Sequence, residues 1–244
     1  MRELTYIYGR NAVIEALTSR PDTISEVFLG EKNTDKDLKS LVHGSKVKHS
    51  ELNESKLPGN LGGHVNHQGI VAAIFLDKLV KNYKEFINNL EVTSKTALLI
   101  FGEVQDPQNV GAAIRSAAAF GLSGVLIPEH KQAPVNGTVV KVSAGMAFKI
   151  PLVAINNVNT TIEDLKKKGF WIYGLEGEGE VSLPDEDFDQ PTVFVIGNEG
   201  QGLRKMTAKA CDTLLSIPID PQCESMNASA SVAVALYARS VKKK

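Results

Sequence analysis

Carboxamides, a carboxylate, a guanidinium and hydroxyls stand beside glycines in three short segments of this 244-residue chain. In GEVQDPQNVGAAIRSAAAFG (102–121), Asn109 sits near a helix start and Arg115 is the one charged side chain between Asn109 and Phe120. Asn109 taken alone reads as a helix cap. Gly111, Ala112 and Ala113 keep the helix open to close approach, however, and an arginine amid such small residues suits a phosphate or carboxylate. In VFVIGNEGQGLRKMT (193–207), Gly197, Gly200 and Gly202 lie between a strand and a helix, where backbone N–H groups can approach a ligand. Glu199 within it either caps the following helix or faces that ligand. In LLSIPIDPQCESMNASASVAVALYARS (214–240), Ser225, Asn227 and Ser229 form a polar group in front of a helix of small apolar residues.

The same residue types exclude several chemistries. His43, His49, His64, His67 and His130 all lie outside the three segments, which leaves a Ser-His-Asp hydrolase without its base. The glycine spacing is neither GxGxxG nor GxxxxGK[ST], so dinucleotide binding and nucleoside triphosphate hydrolysis are disfavoured. Cys211 and Cys223 have no CxxC or Cys/His partner, so no metal site and no disulfide framework are expected, and the compartment is expected to be reducing.

Elements that would position these groups follow from the apolar runs. ALLIFGEV (97–104), GVLIP (124–128), IPLVAI (150–155), WIYGLE (171–176), TVFVIGNE (192–199) and LLSIPI (214–219) are continuous rather than alternating, as strands covered on both faces should be. Asn109 to Phe120, Thr160 to Lys168 and Ala228 to Val241 read as helices between or after them. The order predicts an α/β domain with a mainly parallel sheet over 97–244, and all three polar segments fall at C-terminal strand ends, where such sheets bind ligands. Residues 1–76 read as a separate small α+β unit: YIYGRNAVIEAL (6–17) as a helix start, SEVFLG (25–30) as a strand, DKDLKSLVHG (35–44) as a helix and GIVAAIF (69–75) as a strand. The polar stretch 77–96 is expected to link the two.

Lys and Arg number 27 against 28 Asp and Glu, a formal net charge of -1, which argues against indiscriminate, salt-driven coating of nucleic acid. Up to Lys78 the balance is even, ten of each sign, so averaging hides no strongly basic unit. No apolar run approaches the roughly 20 residues of a membrane span, and the expected location is cytoplasmic.

Taken together and in order, DPQNVGAAIRSAAAFG, FVIGNEGQGL and IPIDPQCESMNASASVAVALY resemble the three motifs of the SpoU/TrmH family of S-adenosylmethionine-dependent RNA 2'-O-ribose methyltransferases. YGRNAVIEAL and GGHVNHQGIVA (62–72) resemble the small substrate-binding domain of its ribosomal RNA guanosine branch, so the likeness spans nearly the whole chain. The resemblance implies a deep trefoil knot at the C-terminal end, a rare exception to un-knotted topology. It implies Gly197, Ile217 and Met226 as holders of S-adenosylmethionine, and Asn109, Arg115, Glu199, Ser225 and Asn227 as the polar active-site positions. It also implies a homodimer in which Arg115 acts close to the neighbouring chain. Arg10, Asn11, His64, Asn66, His67 and Gln68 are the candidates for RNA contact, by shape, stacking and 2'-hydroxyl recognition. The loop DPQCE (220–224) departs from the family's usual pattern and leaves its contacts unassigned. An arginine is a reluctant base, so the expected role of Arg115 is to grip the target phosphate and stabilise the emerging alkoxide, with Asn109 and Glu199 orienting it and Ser225 and Asn227 shaping the pocket. The substrate expected is a guanosine of 23S ribosomal RNA. The alternatives are a transfer-RNA guanosine methyltransferase and a catalytically idle RNA-binding or assembly protein of the same fold.

Overall fold

Leu98 and Ile100 of one apolar run face a different layer of side chains from Leu99 and Phe101, and this two-sided burial sets the architecture. The computed structural model describes residues 4–31, 33, 35–53, 57–58, 61 and 65–243. His64, one of the RNA-contact candidates, lies outside the described residues.

The small unit contains β1 (Leu4–Tyr8), α1 (Arg10–Ser19), β2 (Ile24–Leu29), α2 (Lys36–Gly44), β3 (His49–Glu51) and β4 (Ile70–Phe75). Its sheet order is β1-β4-β2-β3, with β4 antiparallel to both neighbours and β3 parallel to β2. The start of YIYGRNAVIEAL is therefore a strand, not a helix. Tyr6–Tyr8 pair with β4, and Gly9 at φ +92° turns the chain into α1. Only a residue without Cβ takes that backbone conformation at little cost.

The stretch 77–96 is more than a tether. It contains all but the first residue of α3 (Leu76–Leu79), then forms β5 (Val80–Asn82) and α4 (Tyr83–Asn89). β5 pairs with a strand of the larger sheet, and Phe86 and Ile87 are buried against one of its faces.

The larger unit continues with β6 (Ala97–Phe101), α5 (Pro107–Ala119), β7 (Gly124–Pro128), α6 (Gly137–Val142), β8 (Leu152–Ile155), α7 (Val158–Lys167), β9 (Trp171–Leu175), β10 (Val181–Ser182), β11 (Thr192–Ile196), α8 (Lys205–Ala210), β12 (Thr213–Ser216) and α9 (Ala228–Lys242). Eight strands run in the order β10-β12-β9-β11-β6-β7-β8-β5, and every pairing is parallel. Every residue of β6, β7 and β11 is buried, as continuous apolar runs require. One face packs Leu99, Phe101, Val125 and Phe194 against α5, α6 and α9, in a core that continues into the small unit through Ile7, Val13 and Ala16. The other face packs Leu98, Ile100, Val193 and Val195 against α4 and α7. From β6 the chain moves to β7 on one side, whereas β11 lies on the other. The crevice of such a switch point is where a doubly wound sheet binds its ligand.

Candidate active site

Three loops leave the C-terminal ends of β6, β11 and β12, and their polar side chains meet. Asp106 caps α5 by accepting from Gln108 N at 2.9 Å, with Pro107 at the first helical position, and this places Asn109 in the first turn. Asn227 caps α9: its Oδ1 accepts from Ser229 N at 2.9 Å, Ser229 Oγ at 2.7 Å and Ala230 N at 3.2 Å. With its oxygen committed to the helix end, the Asn227 amide nitrogen points away and donates to Asn109 Oδ1 at 2.8 Å. Asn109 must then present its own nitrogen, which donates to Glu199 Oε1 at 3.0 Å. The result is a directional relay from Asn227 through buried Asn109 to Glu199, whose side chain is otherwise exposed. The N-termini of α5 and α9 both favour a negative charge in that place.

Glu199 is presented by a tight loop. Asn198 and Gly202 exchange backbone hydrogen bonds of 3.0 and 2.9 Å. Asn198 Oδ1 accepts from Gly200 N at 3.0 Å, and its Nδ2 donates to the Glu103 carbonyl at 3.1 Å. A Cβ on Gly197 would lie 2.2 Å from Gly202 backbone atoms, so the loop closes only over glycine. Gly197→Ala is therefore expected to push the loop open and weaken S-adenosylmethionine binding by about tenfold or more, since overpacking costs about 1–3 kcal/mol. Calorimetric titration would show this, and a wild-type dissociation constant would refute it.

Sequence reasoning missed Glu176, at the end of β9. Its carboxylate accepts from Leu203 N at 2.7 Å and ties the Gly197–Gly202 loop to the neighbouring strand. An acidic residue closing the run WIYGLE was a visible signal, but its partner lies 27 positions along the chain. Glu103, paired with Arg204 at 2.7 Å, holds the loop from the β6 side.

The other site candidates are placed differently. Arg115 is exposed on α5 and makes no hydrogen bond or ion pair among the described residues, so Asn109 and Glu199 bond to each other and not to it. Ser225 is exposed in the loop before α9, while Ile217 packs against the main core and Met226 is half-buried. In the small unit, Gln68 Oε1 accepts from Arg10 N at 2.9 Å, and Gly69 N donates to His67 Nδ1 at 3.1 Å, so these candidates share one edge with exposed Asn11 and Asn66. Leu38 N–H and the Arg10 guanidinium hold the Asp35 carboxyl below its usual range at that edge.

The donor set fits S-adenosylmethionine. From Ile217 to Met226 a turn at Asp220 supplies Cys223 N to Asp220 O at 2.9 Å, and no other backbone N–H in that stretch has a backbone partner among the described residues. Unpaired amides and carbonyls next to Ile217, Met226 and the exposed Ile219 offer polar edges and apolar walls to an adenosyl group. Thiol chemistry is poorly placed, because burial pushes the Cys211 thiol up to about 12. Among the described residues no cluster of three or more His, Cys, Asp or Glu could hold a metal ion.

Comparisons with known proteins cover both units of the chain. Residues 6–79 match the family described as RNA 2'-O ribose methyltransferase substrate binding, and residues 96–237 match the SpoU rRNA Methylase family. The 23S rRNA (guanosine-2'-O-)-methyltransferase RlmB of Xanthomonas campestris pv. campestris is 40% identical over 238 residues, 95% of this chain and 94% of that protein. The RlmB of Shewanella oneidensis is 32% identical over 97% of each chain. Among solved structures, the SpoU methyltransferase AviRb of Streptomyces viridochromogenes in complex with AdoMet superposes with a TM-score of 0.83 at 24% identity, covering 98% of this chain and 89% of that one. An AdoMet-bound rRNA methyltransferase of Sinorhizobium meliloti gives 0.77 at 20% identity over 97% and 86%; at these identities the likeness is one of fold. With both of its units matched in order, the chain belongs to the SpoU rRNA methylase family.

Proposed function

We propose that this protein transfers a methyl group from S-adenosylmethionine to the 2'-hydroxyl of a guanosine in 23S ribosomal RNA. The observation that carries this reading is the Asn227–Asn109–Glu199 relay at the strand ends beside the 217–226 segment, whose backbone is paired only at the Asp220 turn among the described residues. The names of the relatives supply the RNA. On this reading residues 1–76 bind RNA, 77–96 join the units and 97–244 carry the reaction, with the C-terminal knot that the family resemblance implies and a cytoplasmic setting.

S-adenosylmethionine, when bound, supplies an electrophilic methyl on a sulfonium. A ribose hydroxyl is a poor nucleophile until oriented and relieved of developing charge. Glu199 has one carboxylate oxygen fixed by Asn109, which leaves the other to accept from that hydroxyl. The Arg115 guanidinium would stabilise the negative charge that develops on the oxygen as it gains the methyl, and the hydroxyl proton would pass to the free carboxylate oxygen of Glu199. Ser225, Asn227 and Met226 shape the wall between Ile217 and α9, and Gly197 admits the cofactor's close approach.

A homodimer belongs to the same proposal. Val234, Tyr237 and Val241 leave an apolar stripe exposed on α9, 36%, 58% and 44% accessible, and Tyr237 meets Phe120 at the end of α5 with ring centres 6.3 Å apart. Such a stripe marks an interaction surface, and it lies on the helix pair that presents Arg115.

The test is methyl transfer from labelled S-adenosylmethionine to unmodified 23S rRNA and to unmodified transfer RNAs, with the 2'-O-methyl position mapped by mass spectrometry. One modified guanosine in the 23S transcript is expected. Label in transfer RNA alone would overturn the ribosomal assignment, and cofactor binding without transfer to either RNA would overturn catalysis.

A further inference from the structure

Residues 137–149, comprising α6 and the turn after it, touch both units. Toward the catalytic side they press on α5: a Cβ at Gly111 would lie 2.6 Å from Val142 Cβ and 2.8 Å from the Val139 carbonyl. Gly111 is two positions from Asn109 and four from Arg115. Toward the small unit, Thr138 Oγ1 and the Tyr8 hydroxyl share a 3.1 Å hydrogen bond, and Lys149 pairs with Glu15 at 3.2 Å. Lys141 Nζ donates to the Asn66 carbonyl at 2.6 Å while standing 5.0 Å from the centre of the Tyr8 ring.

Lys141 differs from its neighbours in what it holds. Thr138 and Lys149 bond side chains of β1 and α1, which their own sheet and helix already fix. Lys141 bonds the 65–69 turn, where Gln68 and Gly69 both have positive φ and Asn66 and Gln68 are exposed. An ammonium bonded to a carbonyl and backed by an aromatic face is restrained from two sides.

We propose that Lys141 is a positioning residue that locks the 65–69 turn to α6, and through α6 to the helix bearing Asn109 and Arg115. RNA engaged by the small unit then reaches the relay in one orientation. This inference rests on the RNA-methylation reading for its kinetic consequence and on geometry alone for the lock. Without the lock the turn keeps its contacts to RNA but loses its register to α5, and misorientation is penalised in the rate of the bound complex more than in binding.

The experiment compares full-length wild type, Lys141→Met and Lys141→Arg. Methionine keeps the apolar stem against Tyr8 and removes the ammonium. Amide hydrogen exchange across residues 66–70 of the RNA-free protein is expected to quicken by about tenfold in K141M, the equivalent of one charge-assisted hydrogen bond, and to return near wild type in K141R. Single-turnover methylation at saturating 23S rRNA is expected to fall by about tenfold in K141M, with S-adenosylmethionine affinity unchanged and RNA affinity within about threefold. Unchanged exchange in K141M would overturn the lock. An unchanged rate beside quickened exchange, or a parallel loss of cofactor affinity and melting temperature, would overturn the positioning role. If wild type itself transferred no methyl to RNA, the proposed reaction would fail while the exchange measurement still judged the lock.

Discussion

Asn109→Leu is expected to lower single-turnover methylation by about 10²- to 10³-fold, as removal of a preorganised polar group at a reacting centre does elsewhere. The side chain is 7% exposed and is the only link between Asn227 and Glu199 among the described residues. Leucine of similar volume leaves the Asn227 amide nitrogen without its acceptor and frees Glu199 to adopt other rotamers. Cofactor affinity should hold within a few-fold, because the 217–226 backbone is not bonded to Asn109. Stability should fall by about 1 kcal/mol, near the lower end of the cost of a stranded polar group, since exposed Glu199 can turn to water. Glu199→Gln separates charge from geometry: it keeps an acceptor for Asn109 and removes the carboxylate. Wild-type turnover in N109L, measured in single-turnover assays with labelled cofactor, would end the case for the relay.

Arg115→Ala is expected to lose a comparable factor, yet to regain activity in trans. The side chain is exposed, has no partner within the described chain, and sits on the helix whose end meets the apolar stripe of α9. If each site draws Arg115 from one protomer and the relay from the other, unfolding and refolding a mixture of R115A and N109L chains creates heterodimers with one intact site. In a two-fold dimer half of the molecules are then heterodimers, so about a quarter of wild-type activity should return. Two inactive parents that stay inactive after mixing, with heterodimers verified by mass, would place Arg115 in the same site as its own Asn109.

Legibility varied with how local each determinant is. β6, β7 and β11 were readable because a strand covered on both faces needs an unbroken apolar run, and their neighbours confirm that cover. β5 and β10 were not, since strands of three and two residues at the edges of the sheet carry no periodicity and take their conformation from the strand beside them. β1 was hidden by the helix that begins two residues after it. Within the site, Asn109, Glu199 and Asn227 were named from their motifs, and the structure adds the order in which they bond. Glu176 and Lys141 escaped notice because each acts on a loop far along the chain, and nothing in the spacing of their own segments announces the partner.

Asn227 both begins α9 and starts the relay, and this ties the timing of activity to the order of synthesis. β12 and α9 are made after the other elements described, and domains gain structure as their chains emerge. A nascent chain can fold its small unit and most of its parallel sheet, and even bring Asn109 to Glu199, before Asn227 is there to bond Asn109. On the proposed mechanism the relay is complete only when α9 docks, so a chain without that helix would resemble the enzyme in shape and lack its chemistry.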